Sequence, residues 1–155
     1  DNYTVAEPRA RGVERLIPLG KTITLTSGAD GSFLAADTQN NTLVNLAAES
    51  AAPQNAKFQI VDLGKGQVAL KAANDRFVSA AGEAVVLKDL GGQNPGKAES
   101  FQWVNLMRGD TLLMSLTNHR YLATKPNEQG PVTISAAGPT PARKSGECFK
   151  WKAID

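Results

Sequence analysis

Phe101-Gln102-Trp103 is one of three places where a phenylalanine is followed, two residues on, by a second bulky apolar side chain. The others are Phe58-Gln59-Ile60 and Phe149-Lys150-Trp151, so the copies stand 43 and 48 residues apart. Working back from each copy, a second figure recurs. A polar turn leads into an aromatic and then small residues: Asp30-Gly31-Ser32-Phe33-Leu34-Ala35, Asn74-Asp75-Arg76-Phe77-Val78-Ser79 and Asn118-His119-Arg120-Tyr121-Leu122-Ala123, the aromatics at a step of 44. Two separate landmarks sharing one spacing mark an internal repeat.

Each unit reads as four short strands. The first follows a glycine and alternates apolar residues: Ile23 and Leu25 after Gly20, Val68, Leu70 and Ala72 after Gly66, Leu112, Met114 and Leu116 after Gly109. A period of two belongs to a strand with one face buried and one wet. The turns at Asp30-Gly31, Asn74-Asp75 and Asn118-His119 suit tight reversal, because Asn, Asp and Gly accept the backbone angles a hairpin needs. The second strand opens at Phe33, Phe77 or Tyr121, and the third carries Val44 and Leu46, Val85 and Leu87, or Val132 and Ile134. A loop with Pro53, with Pro95, or with Pro139 and Pro141 leads to the fourth strand and its phenylalanine. No stretch shows helical periodicity.

A unit of this size cannot bury its apolar face alone, so the three must close on one another, which also removes exposed strand edges. The expectation is an all-β chain: a β-trefoil of twelve strands in three pseudo-equivalent four-strand repeats, at about 17–62, 63–106 and 107–155. An open sandwich would be all-β as well, but requires no threefold period. Phe58, Ile60, Phe101, Trp103, Phe149 and Trp151 are the expected core motif; both tryptophans stand where the first copy has Ile60.

The 155 residues include 41% apolar and 21% charged side chains, an ordinary globular composition for one domain. A net charge of +2 gives no reason to expect nucleic acid or an anionic membrane as partner. No apolar run approaches the roughly 18 residues of a membrane-spanning helix. With one cysteine, Cys148, and one histidine, His119, neither an internal disulfide nor a Cys/His zinc cluster is available, and no metal or cofactor is expected. The chain starts at Asp1, and Ala6 to Gly12, with Pro8 among charges, fits a linker. Residues 1–16 are therefore expected as a linker or N-terminal extension, and 17–155 as the domain.

Ricin-type sugar-binding trefoils carry Gln-x-Trp in each fourth strand, whereas Phe58, Phe101 and Phe149 hold the glutamine position here. With the turns Asn74-Asp75-Arg76-Phe77-Val78-Ser79 and Asn118-His119-Arg120-Tyr121-Leu122-Ala123, residues 19–155 resemble the fascin-like, actin-cross-linking trefoils. A single copy behind a linker looks like the accessory modules of secreted microbial glycoside hydrolases. The resemblance implies a polysaccharide or oligosaccharide ligand, a neighbouring catalytic domain and an extracellular or periplasmic location. Its alternatives are an actin-type protein-interaction domain and a structural domain docked on a catalytic neighbour.

Candidate chemistry is sparse. Cys148 aligns with Ser100 and Lys57, and His119 with Asp75 in a turn, so no third group completes a nucleophile–base pair. Asp37, Asp62, Asp75, Asp89 and Asp110 are read as solvated carboxylates, none marked as a glycosidase acid–base pair. Gly64-Lys65-Gly66 and Gly91-Gly92 lack a phosphate-cradling pattern, and Arg143, Lys144, Lys150 and Lys152 read as a solvated face broken by Glu147. No catalytic residues are expected. The candidate ligand contacts are the hairpin tips Asp75-Arg76 and His119-Arg120, where the arginines could donate to a hydroxyl-rich or acidic ligand.

Overall fold

The computed structural model describes residues 17–47, 54–106, 109–137 and 145–154. The expected linker over 1–16, together with Pro53, Pro139, Pro141, Arg143 and Lys144, lies outside them. The first repeat supplies β1 (Thr22–Ser27), β2 (Phe33–Asp37), β3 (Thr42–Leu46) and β4 (Phe58–Gly64), and the second β5 (Gln67–Ala72), β6 (Phe77–Ala81), β7 (Ala84–Lys88) and β8 (Phe101–Asn105). The third supplies β9 (Thr111–Ser115), β10 (Tyr121–Ala123), β11 (Gly130–Pro131), β12 (Thr133–Ala136) and β13 (Phe149–Ala153). Thirteen strands are therefore described where twelve were expected; the extra one is the two-residue β11, which pairs with β3 of the first repeat. One 3-10 turn, Lys97–Glu99, precedes β8.

First and fourth strands close a six-stranded ring: β1 pairs with β4, β4 with β5, β5 with β8, β8 with β9, β9 with β13, and β13 with β1. The second and third strands form three hairpins, β2–β3, β6–β7 and β10–β12. These are stitched to one another by backbone bonds from Leu87 N to Asn41 O (2.8 Å), Val132 N to Leu43 O (3.0 Å) and Ile134 N to Glu83 O (2.7 Å). A six-stranded ring with a three-hairpin cap is the β-trefoil architecture.

The repeated phenylalanines hold the ring together. Phe58 stands opposite Ile23 on one side and Ala72 on the other, Phe101 opposite Val68 and Ser115, Phe149 opposite Thr111 and Ser27. Each is fully buried, and each touches a strand of its own repeat and a strand of the next. A small residue on the far side (Ala72, Ser115 or Ser27) leaves room for the ring. The two serines also bond the hairpin behind them: Ser27 Oγ accepts from Ala29 N (3.1 Å) and Ser115 Oγ from Thr117 N (3.2 Å). In the second repeat the turn is one residue shorter, closing from Asp75 N to Ala72 O at 3.0 Å, and alanine suffices.

This pairing corrects the expected register of the third repeat. Thr111 is equivalent to Ile23 and Val68, so the inward face of β9 is Thr111, Leu113 and Ser115; Met114 and Leu116 are only half-buried, while Leu112 is buried too. In β3, Leu43 and Asn45 are buried in place of Val44 and Leu46. Asn45 is drawn inward because its Oδ1 accepts from Gly130 N (3.1 Å) where β11 joins β3. Trp103 is buried, with its indole N–H donated to Asn105 Oδ1 (3.1 Å). Trp151 packs against the core but stays half-exposed, as large indoles commonly do. Asp110, read as solvated, is 3% exposed and bridges to Lys150 Nζ at 3.2 Å.

Phe101→Ala is expected to cost about 3–5 kcal/mol in denaturant unfolding, through lost transfer and a cavity at a repeat junction. A Cβ on Gly146 would lie 1.9 Å from the carbonyl oxygen of Thr124, whose N–H bonds Gly146 O at 2.9 Å. Gly146→Ala should therefore cost about 3 kcal/mol. Gly130→Ala, with open space around it, should change stability by no more than about 0.5 kcal/mol. Equal losses for the two glycines would refute this account.

Candidate functional site

All three hairpin tips use one device. Oδ1 of Asp30, Asn74 and Asn118 accepts the backbone N–H two residues on, from Ser32 (3.0 Å), Arg76 (3.2 Å) and Arg120 (3.0 Å). The residue between takes a left-handed conformation: Gly31 at φ 76°, Asp75 at 64° and His119 at 58°. Asp75 and His119, two of the expected ligand contacts, thus serve the turn first, since short polar side chains tolerate positive φ better than most.

Beside the tip of the second repeat the surface folds into a cleft of about 560 Å³. Its floor runs across strands: Gln59 of β4 is opposite Lys71 of β5, and Lys71 is opposite Phe77 of β6. The loop from Asp89 to Pro95 makes a wall, and Asp75 reaches the cleft from the tip. Asp89 starts that loop by accepting Gly91 N at 2.9 Å; Gly91 and Gly92, at φ 59° and 85°, reverse it, and Gln93 N closes on Leu90 O at 3.0 Å.

Phe77 is half-buried, with Lys71 Nζ over its ring at 6.0 Å from the centroid. The same ammonium lies 3.7 Å from Asp75 Oδ1, the two side chains 34% and 84% exposed. Six ångströms is the outer reach of a cation–π contact, and an ion pair this exposed contributes little. Lys71 is therefore held loosely and has donors to offer a ligand.

Among the described residues, the three repeats differ in charge around the second-strand aromatic. Thr26, Lys71 and Met114 stand opposite the second-strand aromatics Phe33, Phe77 and Tyr121. The tips carry Gly31, Asp75 and His119, and the residue after the third strand's last pairing is Ala47, Asp89 or Ala137. One cation and two carboxylates thus surround the second-repeat aromatic, against Thr26, Gly31 and Ala47 in the first repeat and Met114, His119 and Ala137 in the third.

Of the expected ligand contacts, only Asp75 lines the cleft. Arg76 is half-buried beside it, its carbonyl bonded by Ala72 N at 2.8 Å. His119 and Arg120 are exposed on the third tip, a different repeat. The reading of single tips missed Gln59, Lys71, Phe77, Asp89, Gln93 and Asn94. Comparing the three copies position by position, with Lys71 and Asp89 against neutral residues, is the signal that finds them. Cys148 is buried with Ser145 Oγ 3.4 Å from its sulfur, whereas His119 faces solvent.

The first tip is occupied by structural bonds instead. Asp30 Oδ2 accepts from Asn127 N (2.7 Å), a residue of the third repeat, and Asp30 Oδ1 accepts from the Ser32 hydroxyl (2.7 Å). Buried Asn45 donates to Glu128 O at 2.5 Å. Partial burial pushes the Asp30 carboxyl up, but the bonds from Ser32, Asn127 and Ser27 outweigh it and hold the group below its ordinary 3.8.

No protein-family model matches the sequence, and neither does any curated protein. Solved structures do resemble it. A designed threefold-symmetric protein, ThreeFoil, superposes with a TM-score of 0.69 at 14% identity, over 84% of this chain and 96% of that one. SeviL bound to asialo-GM1 saccharide gives 0.67 at 12%, over 85% and 96%. The cytolethal distending toxin of Actinobacillus actinomycetemcomitans gives 0.69 at 12%, over 84% and 89%. At such identities the likeness is one of fold: the chain is a β-trefoil.

The Asp30 latch sets an acid response. Asp30 is more acidic folded than unfolded, so its contribution is complete above 3.8 and is lost as pH falls through the lower folded value. Asp30→Asn should flatten the loss of melting temperature on acidification below that pH. An unchanged acid profile would remove the latch from the account.

Proposed function

We propose that this domain is a non-catalytic carbohydrate-binding module whose binding site is the second-repeat cleft. The observation that carries the reading is Phe77, a half-buried ring set among Lys71, Asp75 and Asp89. A pyranose has an apolar C–H face and a rim of hydroxyls, and needs an aromatic surface flanked by groups that donate and accept. Gln59, Gln93 and Asn94 add amides that do both. Two carboxylates against one loosely held ammonium favour a neutral sugar over a uronate or sulfated one. That SeviL, with the same fold, was captured with a saccharide supports the reading.

The cleft is open to solvent, suited to weak contacts that gain from avidity on a polymer. With the fascin-like resemblance, this favours an accessory module of a larger secreted polysaccharide-degrading enzyme, placed outside the cytoplasm beside a catalytic domain that works on the same polymer.

The test is retention of the domain on a panel of soluble and insoluble polysaccharides. One neutral polymer should retain it with one site per chain. Phe77→Ala and Asp89→Asn should each weaken retention about tenfold or more, equivalent to ~1.4 kcal/mol, while Phe33→Ala, Tyr121→Ala and Arg120→Ala leave it unchanged. If no polymer is retained, or if the three repeats contribute equally, the proposal fails.

A further inference from the structure

At the end of the cleft wall lies a buried polar pair that the first repeat does without. Glu99, 4% exposed, accepts the Ser79 hydroxyl at 2.5 Å on Oε2 and the Gly96 N–H at 2.8 Å on Oε1; Ser79 is 3% exposed. Ser100 Oγ adds a bond to Gly96 O at 2.7 Å. Gly96 is the residue where the Asp89–Pro95 wall ends, so the wall is pinned at one end by Asp89 on Gly91 and at the other by Glu99 on Gly96.

The first repeat shows what the same place looks like without this pair. Ala35 and Ala56 take the positions of Ser79 and Glu99 there, both buried; the third repeat pairs Ala123 with Glu147, a glutamate that is buried as well at 4% exposed. Two alanines therefore satisfy the trefoil. A buried carboxyl group costs desolvation that its bonds only offset, and well-packed apolar replacements of such groups are often neutral or stabilising. The one described serine–glutamate pair stands in the repeat that also concentrates charge around its aromatic. Side chains that must meet a ligand need their backbone held within a fraction of an ångström, and a wall whose middle, Gly91 to Asn94, is exposed and includes two glycines has little packing of its own there to supply this.

We infer that Glu99 and Ser79 are positioning residues that hold the Asp89–Pro95 wall in the shape its ligand needs; the ligand part of this inference rests on the carbohydrate reading above. The pair touches no ligand itself. It acts through Gly96 and β6, the strand that also bears Phe77, so one buried carboxyl group ties the wall to the strand of the aromatic floor.

The experiment compares the full chain with Glu99→Gln and with a volume-conserving apolar double variant, Ser79→Ala/Glu99→Met. Melting temperature, amide hydrogen exchange at Gly96 and retention on the polymer that holds the wild type are all measured. Glu99→Gln keeps an oxygen for Gly96 and an amide for Ser79, so it should match the wild type in all three. The double variant should keep its melting temperature, exchange the Gly96 amide roughly tenfold faster, and be retained roughly tenfold less well. Val132→Ala, a core change in the third repeat, should lower the melting temperature without altering retention. If the double variant keeps both slow exchange and full retention, the positioning role is wrong. It is equally wrong if the variant only loses stability while folded molecules bind as before. Should the wild type be retained by no polymer, the carbohydrate reading falls, and Gly96 exchange alone decides whether the pair anchors the wall.

Discussion

Three phenylalanines at the seams of the ring are the constraint on which everything else depends. Phe58, Phe101 and Phe149 each lie between a strand of one repeat and a strand of the next, so removing any of them opens a junction rather than a single unit. Because no unit encloses its own phenylalanine, no unit has a complete core, and the ring is formed by all three together. The small residue facing each ring follows from the same packing. The serine versions, at Ser27 and Ser115, spend their hydroxyls on the longer hairpin turns behind them.

This constraint is also why the fold was legible from the residues. A bulky residue that must recur at every junction leaves a period in the sequence, and the tips leave a second period through the Asx turns at Asp30, Asn74 and Asn118. Alternation was a poorer guide wherever both phases were apolar. Thr111-Leu112-Leu113-Met114 offers two inward faces by hydropathy, and only the pairing of Thr111 with Phe149 decides between them. In β3 the misread face has a polar cause: Asn45 is interior because the third repeat sends β11 against it, a contact 85 residues away in sequence.

The site was much less legible, for a reason of a different kind. Tips announce themselves in sequence through turn chemistry, and turn chemistry is what Asp75 and His119 largely supply. The cleft is instead assembled from a fourth strand, a first strand, a second strand and the loop after a third. Gln59, Lys71, Phe77 and Asp89 have no shared local pattern, only a shared place across three strands, a loop and a repeat boundary. The buried glutamate was hidden the same way, since nothing beside it in sequence marks Ser79 as its partner, 20 residues earlier.

The floor of the cleft begins on Gln59 of the first repeat and continues on Lys71 of the second. Had the ring been built from three separate identical peptides, every seam would carry the same side chains, and any change at one would appear at all. Joining the units in one polypeptide lifts that restriction, because each seam is then written by its own stretch of gene. A single chain can keep the phenylalanine at every seam, where geometry demands it, and carry different side chains on the surface above each. Thr26, Lys71 and Met114, at equivalent positions of the three repeats, use that freedom. Covalent continuity gives this chain what a symmetric assembly cannot have: one distinctive face on a threefold body.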